Sequence, residues 1–403
     1  MNEIIVQKFG GTSVGSVERI DAVAEIIKKA SQSNRIVVVV SAMEGETNKL
    51  VNLAKNFSDN PDKREFDALV ATGETVSSAL LAMALHSKGL KAKSYSASQI
   101  SMRTTDSFSK AKILDVDAKK ILEVLEEDTI PIITGFQGIT ETGDVTTLGR
   151  GGSDTTAVAI AAQVKAERCD IYTDVDGIYT TDPKIVPNAK KLDSITMEEM
   201  LELAGQGAKV MQTRAVEFAN KYEVPVRVLS SFNESTGTLI SLKEDTMENA
   251  LVSGIASQKN QVKFTLHGVG DIPGTAFKIL GPISDAEVEV DVIVQNVSVD
   301  GKTDFTFTVS SEDQGTVNKV IQEMNDVEYK ELIVNSDIAK VSLVGVGMRS
   351  QAGVASRAFK ALSEKDVNIQ IICTSEIKIT MVIDESLVDK AVKVLHEEFE
   401  LDK

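Results

Sequence analysis

The sequence predicts an α/β protein, in which a three-layer αβα domain with a mostly parallel sheet is followed by two smaller βαββαβ domains. Two observations predict this division. Up to about residue 242, short β-branched runs alternate with amphipathic segments of helix length, as in a parallel sheet whose strands are buried on both faces. After about residue 250, one pattern of residues occurs twice, which indicates a duplicated unit. The length of 403 residues fits two to four domains of common size.

The first domain is predicted from five apolar, β-branched runs. These runs are Ile4–Val6, Ile36–Val40, Ile130–Thr134, Cys169–Thr173 and Val226–Leu229. They lack the alternation of a half-exposed strand, so we expect them in the middle layer. Between the first two runs, Val17–Lys28 places apolar residues on one helical face and charged residues on the other. Glycine-rich or hydroxyl-rich loops, Gly10–Ser13 and Gly135–Gly138, follow two of these strands, and such loops share a crevice in open α/β sheets.

The duplicated unit begins at Lys263–Gly270 and again at Lys340–Gly347. Further along, Val290–Ser298 aligns in the same way with Val367–Ser375. Each copy predicts a strand, a glycine-containing turn, a helix and two more strands. That order is typical of the ferredoxin-like βαββαβ arrangement.

Composition excludes several classes of function. The chain has 43 Lys and Arg against 60 Asp and Glu, a net charge of −17, and nucleic-acid binding needs clustered cations instead. Unbroken apolar runs such as Ile36–Val40 are far shorter than the roughly 20 residues of a membrane span. No apolar run follows the first Met, so we expect a cytoplasmic protein without a membrane partner.

Cysteine and histidine are scarce. Cys169 and Cys373 cannot make a disulfide framework or a four-cysteine metal site. The histidines, His86, His267 and His396, lie far apart in sequence, so we expect no triad or histidine metal site and place each at a surface or interface. Lys, Arg, carboxylates, hydroxyls and amides remain, and these groups suit phosphoryl transfer.

Three segments and one lone residue carry the candidate chemistry. Lys8–Ser13 follows a strand, where amides and a lysine can hold a phosphate, although a tight turn is the alternative. Thr146–Thr156 puts glycines and Arg150 before a helix, as in an anion site, and helix caps alone would not explain the arginine. Thr173–Lys184 offers carboxylates, hydroxyls and a lysine for a nucleotide with its metal, or is a turn cluster. Glu74 lies in an apolar helical stretch, either exposed or in a site.

Together these segments resemble the aspartokinases of the amino-acid-kinase superfamily, and the duplicated part resembles the tandem ACT domains of the monofunctional, feedback-regulated members. The resemblance covers essentially the whole chain. It implies transfer of the γ-phosphoryl group of ATP, with Mg²⁺, to the side chain of L-aspartate, at the entry to lysine (diaminopimelate), threonine and methionine biosynthesis. A carboxylate acceptor is already ionised at neutral pH, so no strong general base is needed. Catalysis would consist of positioning and charge neutralisation.

The resemblance also implies roles for residues of the kinase domain. Catalytic roles are implied for Lys8, Glu74 and Asp182. ATP contacts are implied for Lys8, Phe9, Gly10, Gly11, Ser41, Thr173, Asp174, Tyr179, Asp182, Lys184 and Lys209. Aspartate contacts are implied for Thr47, Glu74, Arg150, Gly151, Gly152, Ser153 and Asp154. Lys8 would act on the β- and γ-phosphates and Asp182 would orient Lys8 or the metal. Glu74 would bind the α-ammonium group, with Thr47 and Arg150 on the carboxylates; Mg²⁺ would arrive with ATP rather than on protein ligands.

In the C-terminal half, the family inserts one ACT unit within the other. This implies a kinase domain at 1–242, a first ACT domain at 262–337, and a second formed by 251–260 with 338–403. Effector contacts are implied for Asp271, Pro273, Gly274, Thr275, Ala276, Val290, Asp291, Gln295, Asn296, Val354, Ala355, Asn368, Ile369, Ser375 and Glu376. The effector would be lysine, threonine or both, bound between ACT units of two chains, so a homodimer or higher oligomer is expected. Met247 could start a separate regulatory subunit.

One segment departs from the family, because Met211–Arg214 stands where several members carry Leu-His-Pro-Arg. Other functions also stay open: a kinase of another carboxylate, such as a glutamate-type enzyme, or a catalytically dead amino-acid sensor. Intact Lys8, Glu74, Arg150 and Asp182 argue against the sensor. An ACT-bearing dehydrogenase is disfavoured, because no dinucleotide fingerprint follows the first strand.

Overall fold

A computed structural model describes residues 3–208, 210–242, 251–296, 301–350 and 352–403. The chain divides into two compact units, Met1–Tyr179 with Lys191–Met247, and Thr180–Lys190 with Glu248–Lys403. The short segment Thr180–Lys190 therefore belongs with the second unit, although its sequence lies within the predicted kinase domain. Its apolar side chains explain this, because Val186 is buried in a core cluster of the second unit.

The first unit contains an extended sheet and a smaller one. Its strands are β1 (Ile4–Phe9), β2 (Arg35–Val40), β3 (Ala92–Tyr95), β4 (Arg103–Thr104), β5 (Ile113–Asp115), β6 (Ile130–Thr134), β7 (Gln137–Ile139), β8 (Val145–Thr147), β9 (Arg168–Thr173), β10 (Ser194–Thr196), β11 (Val226–Ser230) and β12 (Thr238–Ser241). Its helices are α1 (Val17–Ser31), α2 (Glu46–Lys55), α3 (Lys63–Val70), α4 (Thr72–Ser87), α5 (Ala118–Glu126), α6 (Gly152–Gln163), α7 (Met197–Gly205) and α8 (Thr213–Lys221).

The large sheet has the order β10-β12-β11-β9-β1-β2-β6-β3 among the described strands, and β4, β5, β7 and β8 form the small sheet. The neighbouring strands of the large sheet pair in parallel, apart from β11 and β12, which are antiparallel. Phe9 pairs with Val40 and with Tyr172, and Val40 pairs with Thr134, so four strands end at one edge. The predicted α/β class with its mostly parallel sheet is confirmed.

Helices cover both faces of this sheet. Ile20, Val23 and Ile27 of α1 pack with α4 against a cluster that includes Phe9. On the opposite face, α6 contacts β1, β2 and β9 and is buried along most of its length. Because side chains alternate along a strand, Lys8 faces α6 while Phe9 faces α1 and α4.

The segment after β6 differs from the prediction. The sequence reads Gly135–Gly138 as one glycine-rich loop, but Gln137 and Gly138 lie in β7, which pairs antiparallel with β8. That loop assignment was wrong, because the segment from Gln137 to Thr147 folds into a short hairpin. The hairpin delivers the chain to the start of α6.

Gly73 lets α4 approach the loop that follows β2. A Cβ at Gly73 would lie 2.7 Å from the Cβ of Ala42, too close for a real contact. We expect Gly73→Ala to lower the free energy of unfolding by about 1–3 kcal/mol, because the helix or the loop must shift. Urea denaturation measures this.

Gly205→Ala in α7 is the matched control for Gly73→Ala. An added Cβ at Gly205 meets no described atom within 4 Å. Alanine is the better helix former, so the control is expected to be neutral or slightly stabilising. Equal destabilisation of both variants would contradict the steric explanation.

The second unit contains β13 (Gly254–Gly270), β14 (Ile293–Gln295), β15 (Lys302–Ser310), β16 (Glu331–Val344), β17 (Ile371–Thr374) and β18 (Lys378–Asp384). Its helices are α9 (Thr275–Asp285), α10 (Gln314–Glu323), α11 (Val354–Ser363) and α12 (Val388–Glu398). Within the described part, the strands form an antiparallel sheet in the order β14-β15-β13-β16-β18-β17.

Two long strands, β13 and β16, run through both halves of this sheet. The later part of β13 pairs with β15 over a core that contains Phe264, Phe305 and Phe307. The earlier part pairs with the end of β16, and Ile255 joins a different core with α11 and α12. Each half thus has the ferredoxin-like helix and strand order.

His396 corrects one expectation. The sequence analysis places it at a surface or interface, but it is buried in α12, with Nε2 3.0 Å from Oγ1 of Thr180. Burial lowers the pKa of its imidazole. The expectation was wrong because α12 packs against the segment Thr180–Lys190, which sequence alone assigns elsewhere. Cys169 and Cys373 are free thiols, as expected.

Among the described residues, one helical stretch, Lys63–Ser87, is long and apolar enough to cross a membrane by length and composition alone. Half of its most apolar window is buried inside the fold. It also contains Asp67 and Glu74, both buried. A core helix of a globular unit can have the same length and apolar composition, and Lys63–Ser87 packs as such a core helix.

Candidate active site

The carboxyl ends of β1, β2 and β9 bring several predicted site residues to one edge of the large sheet. Lys8 and Phe9 end β1, Ser41 follows β2, and Thr173 ends β9. The amide N–H of Ser41 donates to the carbonyl of Phe9 at 3.0 Å, and that of Gly10 donates to the carbonyl of Tyr172 at 3.1 Å. These bonds hold the three strand ends side by side.

Lys8 forms a buried ion pair with Asp154. Its Nζ lies 2.6 Å from Oδ1 of Asp154, and the two side chains are 11% and 10% exposed. Asp154 stands in the first turn of α6, which packs across β1. The resemblance implied that Asp154 contacts aspartate and that Asp182 orients Lys8 or the metal, whereas in the structure the carboxylate in contact with Lys8 is that of Asp154. This contact fixes the ammonium group at the edge of the sheet.

Free backbone donors lie next to Lys8. Within the described part of the chain, the amides of Gly11 and Thr12 have no backbone acceptor. A Cβ at Gly10 would lie 3.5 Å from Nζ of Lys8, so the loop passes next to the ammonium group. Unpaired amides beside a fixed cation make an anion site.

Glu74 is tied to the same edge from α4. Its Oε1 accepts the amide N–H of Ala42 at 3.1 Å, directly after Ser41. Its Oε2 is buried and has no hydrogen-bond partner among the described residues. Burial raises the pKa of this carboxyl to about 7. An under-satisfied buried carboxylate at a strand edge is suited to a cationic ligand.

Arg150 stands between two glycines that adopt left-handed backbone. Gly149 has φ +79° and Gly151 has φ +69°, which residues other than glycine rarely adopt. The Arg150 side chain is exposed, and no ion pair to it is recorded in the described ranges. Thr47, in the first turn of α2, is half-buried. Gly152 and Ser153 begin α6 beside Asp154.

The remaining nucleotide candidates are only partly brought together. Oγ1 of Thr173 donates to Asp174 at 3.0 Å, and the hydroxyl of Tyr179 donates to Asp176 at 2.7 Å. Asp182 and Lys184 belong to the second unit, where Oδ1 of Asp182 accepts the amide N–H of Lys184 at 2.9 Å. Lys209 lies outside the described residues.

The effector candidates lie in the second unit. Gly274, with φ +96°, caps α9, and Nε2 of Gln295 donates to Oδ1 of Asp271 at 3.4 Å. Asp291 pairs with the buried ammonium group of Lys340. Val354 and Ala355 begin α11, while Asn368 and Ile369 precede β17, and Ser375 and Glu376 follow it. Met247 lies outside the described residues.

Sequence reasoning missed two charged side chains in the first unit, the buried Asp67 in α3 and the half-buried Arg214 in α8. Asp67 is fully buried, and both guanidinium Nη atoms of Arg214 donate to backbone carbonyls. The available signals were weak: a carboxylate on a short predicted helix, and an arginine in a segment noted only for departing from a family pattern. Among the described residues, no group of three His, Cys, Asp or Glu side chains is placed to hold a metal.

Two family models match the chain. The amino acid kinase family matches residues 3–230, and an ACT domain matches residues 341–399. An aspartate kinase of Stutzerimonas stutzeri is 56% identical over 402 residues, covering 99% of this chain and 98% of that one. An aspartokinase of Pseudomonas aeruginosa is 55% identical with the same coverage.

Solved structures agree with these matches. E. coli aspartokinase III in complex with aspartate and ADP, in its R-state, has a TM-score of 0.84 and 28% identity, covering 98% of this chain and 99% of that chain. The same enzyme with lysine and aspartate, in its T-state, has a TM-score of 0.78 and 29% identity, covering the same shares. The kinase fold and the ACT fold are therefore both represented in full-length relatives.

Proposed function

The chain belongs to the amino acid kinase family and, within it, to the aspartate kinases, and from this we propose that it transfers the γ-phosphoryl group of ATP to the β-carboxylate of L-aspartate. The products are ADP and 4-phospho-L-aspartate. The observation that carries the proposal is the juxtaposition of a buried cation, Lys8, and a buried under-satisfied carboxylate, Glu74, at one edge of the sheet. A phosphate and an amino acid need these two opposite charges.

The phosphate side is formed by Lys8 with the unpaired amides of Gly11 and Thr12, while the amide N–H of Gly10 donates to the carbonyl of Tyr172. Lys8 neutralises the charge that the transferring phosphoryl group carries in the transition state. Asp154 is a positioning residue here, because its 2.6 Å contact holds the Lys8 ammonium group in place. Ser41 follows β2 at the same edge of the sheet, where its amide N–H donates to the carbonyl of Phe9.

The acceptor side is formed by residues of α4, α2 and the loop before α6. The Oε2 of Glu74 binds the α-ammonium group of aspartate, and Arg150 grips a carboxylate with its planar fork. Thr47 contributes a hydroxyl, and Gly151, Gly152 and Ser153 line the acceptor at the start of α6. The attacking carboxylate is already ionised, so no general base takes part.

The nucleotide and its metal involve further residues. Phe9, Thr173, Asp174, Tyr179, Asp182, Lys184 and Lys209 contact ATP in this proposal. ATP brings Mg²⁺, which neutralises phosphate charge, and the phosphates rather than a cluster of protein side chains are its main ligands. Both substrates are cytoplasmic metabolites, which supports a cytoplasmic location.

The regulatory part consists of ACT domains at 262–337 and at 251–260 with 338–403, after a kinase domain at 1–242 whose segment Thr180–Lys190 packs with the second unit. Lysine, threonine or both bind between ACT units of two chains, so the enzyme is a homodimer or a higher oligomer. The T-state relative contains lysine, which supports an amino-acid effector. Such effectors are typically worth about 1–3 kcal/mol of coupling.

Asp271→Ala tests the effector site. We expect the concentration of inhibitory amino acid needed for half inhibition to rise roughly tenfold, since a charged partner of the effector is lost. The rate without effector should stay normal, because Asp271 lies in the second unit, outside the proposed catalytic set. Inhibition curves with lysine, threonine and both together measure this, and Asp285→Ala at the exposed end of α9 is the control. Unchanged curves for Asp271→Ala would place the effector elsewhere.

A hydroxamate assay tests the activity. With ATP and hydroxylamine, L-aspartate should give an acyl hydroxamate and ADP in equal amounts, and L-glutamate should give none. Product from glutamate alone would identify a glutamate-type kinase. No product from either substrate, with amino-acid binding intact, would identify a dead sensor.

A further inference from the structure

Two charged side chains outside the proposed catalytic set, the buried Asp67 and the half-buried Arg214, hold one loop from two directions. We propose that Asp67 and Arg214 are positioning residues that fix the acceptor loop, defined as residues 148–152, so that Arg150 is presented to the amino-acid substrate. This inference rests on the function proposed above for Arg150.

Asp67 fixes the start of the acceptor loop. Its Oδ2 accepts the amide N–H groups of Ser109 and Thr147 at 2.8 and 2.7 Å. Its Oδ1 accepts the hydroxyls of the same two residues at 3.0 and 2.9 Å. These four bonds saturate a carboxylate that has no access to solvent. Thr147 is the last residue of β8, so the carboxylate determines where the chain enters the loop.

Arg214 fixes the next residue. Its Nη1 donates to the carbonyl of Leu148 and its Nη2 to the carbonyl of Ala111, both at 2.8 Å. The amide N–H of Ala111 in turn donates to the carbonyl of Thr147 at 3.0 Å. Asp67 and Arg214 therefore bind the same two chain segments, one at Ser109–Ala111 and the other at the start of the acceptor loop.

The rest of the loop is held against the beginning of α8. A Cβ at Gly151 would lie 1.8 Å from Cγ of Gln212, so the glutamine side chain packs where only glycine fits. A Cβ at Gly149 would lie 3.1 Å from the carbonyl oxygen of Ser109. The backbone on both sides of Arg150 is thus closely confined, while its own side chain is exposed.

Packing of an apolar core alone would not require charged side chains at these two positions. The buried carboxylate of Asp67 and the half-buried guanidinium group of Arg214 bind neutral groups of the two chain segments at 109–111 and 147–148, rather than each other. A guanidinium fork on two carbonyls is directional and does not tolerate a lysine in its place. Because a misplacement of about 1 Å can cost about 10²-fold in rate, a loop held this way keeps Arg150 within reach of its ligand.

The test measures both Michaelis constants of the full-length enzyme in Asp67→Asn and Arg214→Lys. We expect the aspartate KM to rise roughly tenfold or more, with the ATP KM unchanged. Asp170→Asn is the matched control, because Asp170 is equally buried in β9 and is held by Arg168 and Arg227. That variant should lose stability without a change in either KM.

Further variants separate the possible failures. Arg150→Ala should raise the aspartate KM. If it does, but Asp67→Asn and Arg214→Lys leave the aspartate KM unchanged, the positioning inference is wrong and the kinase function stands. If the wild-type enzyme makes no hydroxamate from aspartate, the proposed function is wrong. Equal rises in both Michaelis constants would indicate general damage and contradict the inference. If Asp67→Asn and Arg214→Lys do not fold, Thr147→Val removes one of the four hydrogen bonds to Asp67. An unchanged aspartate KM in folded Thr147→Val would also contradict the positioning inference.

Discussion

Lys8→Met lowers kcat by roughly 10²–10³-fold or more while the ATP KM changes little, which is the largest effect we expect from a single substitution. Methionine keeps the length of the side chain and removes the ammonium group. The loss falls on kcat because the charge on the transferring phosphoryl group is greatest in the transition state. Steady-state kinetics with the hydroxamate readout measure it.

A control must separate chemistry from folding, because Lys8→Met leaves Asp154 buried without its cation. Breaking such a pair costs about 3–5 kcal/mol. The double variant Lys8→Met/Asp154→Asn removes both charges and should recover most of the stability, as followed by thermal unfolding. Its kcat should remain as low as that of Lys8→Met. Recovery of turnover in the double variant would remove Lys8 from the mechanism.

Glu74→Gln raises the aspartate KM by roughly 10²-fold and leaves the ATP KM near its normal value. Glutamine still accepts the amide N–H of Ala42, which the carboxylate now binds at 3.1 Å, but offers no charge to the α-ammonium group. Loss of a charged hydrogen bond of this kind costs about 1.5–3 kcal/mol. Equal rises in both Michaelis constants would refute the assignment of Glu74 to the amino acid.

The same carboxyl gives a pH dependence. Its pKa is raised from 4.5 to about 7 by burial, so the aspartate kcat/KM should fall below pH 7 as the group becomes neutral. For the ligand-free protein, the neutral form favours folding; this contribution is fully present below pH 4.5 and is lost as the pH rises through 7. Glu74→Gln should therefore be more stable than the wild type at pH 8 and flatten this part of the stability profile. Identical profiles by urea denaturation would contradict the raised pKa.

Five strands of the large sheet could be predicted from sequence because they are apolar, mostly buried runs, whereas short and partly exposed strands such as β3 and β5 were not predicted. Ile130–Thr134, for example, matches β6 at both ends. The partner of Lys8 could not be predicted, because Asp154 contacts Lys8 only after α6 has packed across β1. The burial of Glu74 was equally hidden, since α4 is apolar around much of its circumference and leaves no clear exposed face to read.

The segment Thr180–Lys190 shows a different limit. Its sequence continues from a strand of the first unit, so nothing in the local pattern indicates that Val186 packs with the core of the second. Likewise, Arg214 binds backbone carbonyls and Asp67 binds backbone amides with two hydroxyls distant in sequence, and such partners have no signature in the sequence. What sequence reasoning found was residue type at strand ends; what it missed were contacts made by the assembled chain.

The placement of Thr180–Lys190 limits what an internal translation start could produce. A product beginning at Met247 would lack Val186 and with it about 1.5–3 kcal/mol of burial. It would also lack the Thr180 carbonyl, which accepts the amide N–H of Ile255 at 2.7 Å, and the Thr180 hydroxyl beside His396. Such a short product would lack part of the core and two hydrogen bonds of the second unit.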